Sequence, residues 1–248
     1  MTTPLPAYAE LCCLSNFSFL QGASHPEELV ARAKALGYSA LAITDECSMA
    51  GVVRAHVAAK EQGLPLVIGS RFEVQDGEHG PFGLVLLATT RAGYGHLCQF
   101  ITTLRRRATK GTYRLARHEI DGAALAECLA IAMPARRATQ AACDSVARWL
   151  LQHFIGRCWL GVVQRRAIDD ELHLHRLRES GRLCAVPLVA MGDVRLHRRS
   201  RKPLHDVLTA TRIGQPLTEC GFALADSGEQ HLRSRLALSQ RFAPELLA

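Results

Sequence analysis

The chain has 248 residues, 48% of them hydrophobic and 21% charged, which excludes a disordered tail or a fibrous repeat and leaves room for one large α/β domain or two small ones. No run approaches the roughly 18 apolar residues of a membrane span. The net charge is +7, split as +1 over residues 1–124 (12 basic, 11 acidic) and +6 over 125–248 (18 basic, 12 acidic), and it permits a nucleic-acid partner without requiring one.

Glu10–Leu14 reads as the first strand. Pro26-Glu27-Glu28 then opens a helix with Leu29, Ala33 and Leu36 on one face and Gly37 as its stop. Ala40–Thr44 is the second strand, followed by a helix from Met49 to Gln62 that ends at Gly63. Leu66–Gly69 and Leu84–Ala88 are strands on either side of a hairpin insertion, Asp76–Gly80, whose Asp-Gly pair is the turn signal. Leu97, Phe100, Ile101, Leu104 and Ala108 recur at helical spacing. The strand Leu129–Met133, a helix carrying Val146, Trp149, Leu150 and Phe154, and the strand Trp159–Val163 come next. Asp169–Gly181 fits a helix only loosely through Leu172, Leu174 and Leu177. A last strand, Pro187–Met191, leads to a helix whose face is Leu204, Val207, Leu208 and Thr211. The stretch from Gly228 to Ala248 reads as a helical, peripheral tail.

Seven apolar runs alternating with helices spell repeated βαβ units, and unbroken runs suit strands buried on both faces. No Gly-x-Gly-x-x-Gly follows the first strand, so a (β/α) barrel of mostly parallel strands is favoured over a dinucleotide-binding sheet. The nine cysteines show no C-x-x-C pair and read as reduced, mostly buried thiols. The opening residues lack a charged and apolar leader, so a cytoplasmic location is expected.

In such folds chemistry gathers at the C-terminal ends of strands. Those ends are Cys12, Cys13 and Leu14; Asp45, Glu46 and Cys47; Ser70, Arg71 and Glu73; Thr89; Met133; Gln164 and Arg165; and Asp193 to His197. Asp45 and Asp193 are the carboxylates expected to face a common site. Other candidates read more simply as structure. His173 and His175, two apart on a helix, point to different faces as solvated residues. His25 leads into a helix and His56 belongs to a packed one. Ser15, Ser18 and Ser24 lack a G-x-S-x-G elbow; Ser24 and Ser48 suit helix starts. Vicinal Cys12 and Cys13 read as inert.

The stretch Glu10-Leu-Cys-Cys-Leu-Ser-Asn-Phe-Ser-Phe-Leu-Gln-Gly-Ala-Ser-His-Pro-Glu-Glu-Leu-Val resembles the opening motif of PHP (polymerase and histidinol phosphatase) domains, most of all those of error-prone, C-family bacterial DNA polymerases related to the polymerase III alpha subunit. Ala42-Ile-Thr-Asp-Glu-Cys-Ser-Met-Ala-Gly-Val-Val-Arg-Ala-His is similar to the second motif, Val67-Ile-Gly-Ser-Arg-Phe to the third and Gly192-Asp-Val-Arg-Leu-His to the last. The resemblance spans essentially the whole chain. It implies a PHP-type (β/α)7 barrel over 1–226 and an exit helix over 227–248, leading toward a polymerase core.

Active relatives bind up to three metal ions through an H-x-H pair, a further His, a Glu and a D-x-H. Here Cys12 and Leu14 stand at the first pair, Glu46 follows Asp45, Arg71 replaces the Glu, Gly83 stands where a His often precedes the fourth strand, Met133 lies near a usual Cys, and Arg195 replaces the last His. The residual metal candidates are Cys12, Asp45, Glu46, Asp193 and His197. Arg71 and Arg195 are expected to replace the ions and pair with the carboxylates. No tightly bound cofactor is expected, and at most one divalent ion (zinc, manganese or magnesium). Two basic runs, Arg105, Arg106, Arg107 and Lys110, then Arg198, Arg199 and Arg201, are candidate contacts to a nucleic-acid backbone.

The function implied is that of a PHP domain in error-prone, damage-associated DNA synthesis. The chain has no Asp-x-Asp, and it is expected to lack the polymerase palm and to be a non-catalytic scaffold. Its expected partners are polymerase core domains or other replication and repair proteins, with DNA as a candidate and no membrane. The alternatives are a free-standing metal-dependent phosphoesterase and a basic nucleic-acid-binding module.

Overall fold

A computed structural model describes residues 5–225 and 227–247. Its strands are β1 (Ala9–Glu10), β2 (Ala40–Ile43), β3 (Leu66–Val74), β4 (Phe82–Ala88), β5 (Cys128–Pro134), β6 (Cys158–Val163) and β7 (Leu188–Met191). Its α-helices are α1 (Pro26–Ala35), α2 (Val52–Gln62), α3 (Arg91–Arg106), α4 (Gln140–His153), α5 (Asp170–Cys184), α6 (Lys202–Ile213), α7 (Arg235–Ser239) and α8 (Pro244–Leu247). The α/β class, the seven strands and their order among the helices are those expected. Among the described residues no helix is long and apolar enough to cross a membrane.

The chain forms two compact units, one made of residues up to Val67 together with those from Gly192 onward, the other Ile68–Met191. In the first, β1 and β2 pair in parallel. Beyond β1 the chain stays extended, and Cys13 bridges Val194 in parallel. Helix α1 buries Leu29, Val30 and Ala33, and Gly37, at φ +71°, turns the chain out of it. Only a residue without Cβ takes that conformation at no cost.

In the second unit β4 runs antiparallel to both β3 and β5, while β5, β6 and β7 are parallel. For the β3–β4 pair the reason is the short connection around Asp76–Gly80, which suffices for a hairpin but not for a crossover. Within it the left-handed residue is Gly80 (φ +80°), not the glycine of the Asp76-Gly77 pair. β3 outlasts the predicted Leu66–Gly69 because the pattern changes to alternation after Gly69, with Phe72 and Val74 buried and Glu73 exposed. Phe72, Leu84, Leu86, Leu97, Leu104 and Phe154 are among its largest fully buried side chains. Trp149 packs edge-on against Phe82 (5.4 Å between centroids) and Phe154 (5.8 Å).

Close packing in this unit gives a direct test. A Cβ added at Gly122 would stand 1.9 Å from the carbonyl oxygen of His153, and Arg157 clamps the Gly122 carbonyl at 2.5 Å as well as those of Leu125 and Cys128. Gly122→Ala should therefore destabilise the fold by about 1–3 kcal/mol, the usual cost of overpacking, read as a lowered midpoint in thermal unfolding.

Four expectations about faces are corrected. Helix α6 buries His205, Thr209 and Ala210, while Leu204 and Val207 are 40% and 50% exposed; spacing defines a face but not which way it turns. His173 is buried and only His175 is exposed. His56 lies on the exposed side of α2. The tail is not peripheral either: Glu229, Gln230, Leu232 and Arg233 are buried, and His231 bridges Leu196. The expected boundary at 226 falls on Asp226, which lies outside the described residues.

Candidate functional site

The strand-end residues of the first unit meet along the extended segment Cys12–Leu14. On one side Cys13 N donates to Thr44 Oγ1 at 2.9 Å and Thr44 N to Cys13 O at 2.8 Å; on the other Val194 N donates to Cys12 O and Leu14 N to Val194 O, both at 2.8 Å. This weave sets Asp45 and Asp193, the residues just beyond Thr44 and just before Val194, on the two flanks of the segment. Both are buried.

Asp45 is held by the loop that follows β1. Ser15 N donates to Oδ1 at 2.8 Å, Ser15 Oγ reaches both oxygens (3.0 and 2.8 Å), and Ser18 Oγ donates to Oδ1 at 2.7 Å. Burial nevertheless raises its pKa above the ordinary carboxylate range, against these lowering hydrogen bonds. The fit is tight: a Cβ at Gly51 would lie 2.4 Å from Asp45 Oδ2. Ser18 Oγ also accepts from the backbone N–H of Glu46 at 2.9 Å.

Asp193 sits at φ +44°, a strained conformation for a non-glycine residue. Gln230 secures it, with Nε2 donating to Oδ2 at 2.8 Å and to the backbone carbonyl of Asp193 at 3.0 Å. The Cys12 thiol contacts Oδ1 at 3.7 Å. His197 joins a different group: its Nδ1 lies 2.9 Å from Ser24 Oγ, its N–H donates to the same oxygen at 2.8 Å, and Glu28 is 3.8 Å away. Burial depresses its pKa.

Arg195 donates its backbone N–H to Gln230 O at 2.9 Å. Its charge acts on buried His205, whose pKa falls to about 4 through burial first and Arg195 second. Arg71 lies in the second unit on β3, beside Met133, and a Cβ at Gly83 would sit 3.6 Å from its guanidinium and 2.8 Å from Met133 Cε. The remaining cysteines behave as packing groups: eight of the nine are buried, and burial raises the Cys13 thiol and pushes that of Cys128 up to about 11.

Glu10 was not a site candidate, yet it is as deeply buried as Asp45. It accepts from Tyr8 OH (3.0 Å), Cys12 N (3.1 Å) and Gly192 N (2.9 and 3.1 Å). Burial, its largest influence, raises its pKa to about 7. Gln230 was missed as well, and no pattern around it in the sequence could have found it.

The two basic runs differ. In the second, Arg199 faces Glu229, Arg201 pairs with Glu28 and Lys202 with Asp206, and Arg198 is exposed. In the first, Arg105 donates to the carbonyls of Gly111 and Thr112, Arg107 pairs with Glu119, and Arg106 and Lys110 are exposed.

Among the described residues no three His, Cys, Asp or Glu side chains converge as metal ligands would. A hard cation takes carboxylate and imidazole donors from several directions. Here Asp45 and Asp193 are enclosed by serine and glutamine donors, and the further side chain beside Asp193 is the Cys12 thiol. These residues do not fit a multi-ion centre.

The sequence profile of the PHP domain family matches residues 10–155. An error-prone DNA polymerase of Bordetella parapertussis is 49% identical over 257 residues, covering 100% of this chain and 24% of that protein. Its counterpart in Dechloromonas aromatica is 50% identical over 248 residues, covering 98% of this chain and 23% of that protein. The chain thus spans about a quarter of the length of these relatives. A solved structure from Bifidobacterium adolescentis, assigned as a metal-dependent phosphoesterase, shares the fold with a TM-score of 0.57 at 17% identity, over 77% of this chain and 88% of that one. An amidohydrolase from Chromobacterium violaceum does so with a TM-score of 0.59 at 16% identity, over 76% and 88%.

Proposed function

The chain belongs to the PHP domain family, and from that premise we propose that it serves as the PHP domain of an error-prone DNA polymerase, a non-catalytic scaffold in damage-associated DNA synthesis. Nucleotidyl transfer would then belong to the polymerase core, and the partners of this chain would be that core, other replication or repair proteins, and DNA, in the cytoplasm. The length and identity of the match to error-prone polymerases support the context. One observation carries the scaffold reading: Asp45 and Asp193 are tied into hydrogen bonds with Ser15, Ser18 and Gln230, which leaves them structural work in place of metal ligation. In this reading Arg71 and Arg195 bring fixed positive charge to sequence positions where active relatives keep ligands, and no reaction step passes through an ion.

The test is elemental analysis of the purified, dialysed chain. Zinc, manganese and magnesium should each fall well below one ion per chain, and added Mn²⁺ should produce no phosphate release from a nucleotide or a DNA end. Stoichiometric metal that survives dialysis, with phosphate release abolished by Asp193→Ala, would overturn the scaffold in favour of a metal-dependent phosphoesterase.

A further inference from the structure

The second unit holds an open cleft of about 320 Å³ where the end of α3 meets the segment that follows it, lined by Arg107, Ala108, Arg114, Ala116, His118 and Glu119. That volume lies at the lower end of the range of ligand sites, roughly 300–1,000 Å³. Residues 105–119 carry six Lys and Arg against one acid, Glu119. The acid is already engaged. Ala116 N donates to it at 2.6 Å, and Arg107 pairs with it at 2.9 Å. These contacts hold its carboxyl below the ordinary range. Arg107 is 41% exposed, and its guanidinium has donors left over after bonding Glu119 and the Arg114 carbonyl.

Opposite it the Arg114 side chain makes no hydrogen bond or ion pair among the described residues. Arg114 and His118 of the lining are exposed, and so are Arg106 and Lys110 of the same segment. Guanidinium groups collected around a concavity, with their one carboxylate neutralised, form an anion receptor, and Arg is the side chain whose fork matches phosphate.

We propose that this cleft is a phosphate-binding site for the backbone of a nucleic-acid strand, with Arg107, Arg114 and His118 as its contacts and Arg106 and Lys110 guiding the flanking phosphates. The charge favours a strand over a single small anion, because residues 105–119 carry six Lys and Arg, more than one small anion engages. A lipid surface is disfavoured, since no large apolar side chain of residues 105–121 is exposed for insertion. The inference rests on the preceding reading only for the choice of DNA as the strand.

The experiment is fluorescence anisotropy of the full chain with a fluorescein-labelled oligodeoxythymidylate, repeated over a salt series. The native chain should bind, with a slope of about −0.7 in log K against log salt for each phosphate contact on a single strand. Arg114→Glu should weaken binding about tenfold and reduce the slope by roughly one contact. Because the Arg114 side chain holds no partner, the fold should survive the change, which circular dichroism checks. Arg182→Glu, the same change in net charge at an exposed position of α5, should leave affinity within about twofold. Equal losses for the two variants, no binding by the native chain, or Arg114-dependent binding to phosphatidylserine vesicles in place of the oligonucleotide would each overturn the proposal. None of these results bears on the metal analysis that tests the scaffold reading, so the two can fail separately.

Discussion

Asp45→Ala should destabilise the domain by about 3–5 kcal/mol, the loss expected when a buried charged acceptor is removed from its donors. The side chain accepts from one backbone N–H and two hydroxyls, all buried with it. Each donor left without a partner costs about 1–3 kcal/mol. Two effects reduce the sum: the serine hydroxyls can rotate to other acceptors, and deleting a buried carboxylate removes the burial penalty that raises its pKa. The backbone N–H of Ser15 has no such escape, and the loop it anchors also positions Ser18 against Glu46. Asp45→Asn keeps one acceptor and should lose about half as much. Urea denaturation followed by circular dichroism reads both. The opposite result has a definite meaning. A carboxylate held in place for chemistry is commonly a burden on stability, and its removal leaves a protein as stable or more so. An Asp45→Ala chain at least as stable as the native one would therefore remove the central support for the scaffold reading.

This expectation shows how far the residues can be read in one dimension. The strands were legible because each is a short apolar run, and unbroken runs such as Leu84–Ala88 occur where both faces are covered. Asp45 and Asp193 were singled out by their place just beyond such runs, and both are buried. Their partners were not legible. Ser15 and Ser18 reach Asp45 across 30 and 27 positions, and Gln230 reaches Asp193 across 37; hydroxyl and amide side chains form these bonds without any fixed spacing. The face of α6 was misjudged for a related reason. Periodicity places Leu204 and Val207 on one face of α6, yet buried His205 and Thr209 turn the other face inward. The resemblance itself marks Cys12, Leu14, Arg71 and Arg195 as departures from its pattern, because a motif records which residue type is expected at a position and not what the substitute does there.

The second large effect concerns Glu10, whose charge the fold tolerates poorly. The native pKa is about 7 against an ordinary value of 4.5. Burial drives the rise, and the hydrogen bonds from Cys12, Gly192 and Tyr8 only partly oppose it. Below about pH 4.5 the carboxyl is protonated in both folded and unfolded chains, so it contributes no pH dependence. Between about 4.5 and 7 the unfolded chain has released the proton while the folded chain keeps it, and stability falls as pH rises. Above 7 the full cost is present, about 3 kcal/mol at roughly 1.4 kcal/mol per unit. His173, His197, His205 and His231, all with depressed pKa values, act in the opposite direction in the same region, because the unfolded chain binds their protons more readily. The native profile alone is therefore a mixture, and the isosteric variant isolates the carboxyl. Glu10→Gln keeps an acceptor for the N–H groups of Cys12 and Gly192, and the Tyr8 hydroxyl can rotate to accept from the new amide. Its stability relative to the native chain should rise by about 2–3 kcal/mol between pH 5 and pH 8, measured as the difference between urea unfolding curves at the two values. Parallel pH profiles for the two chains would show that Glu10 is ionised in the fold at both pH values, with the charge of Arg233, which lowers its pKa, outweighing burial.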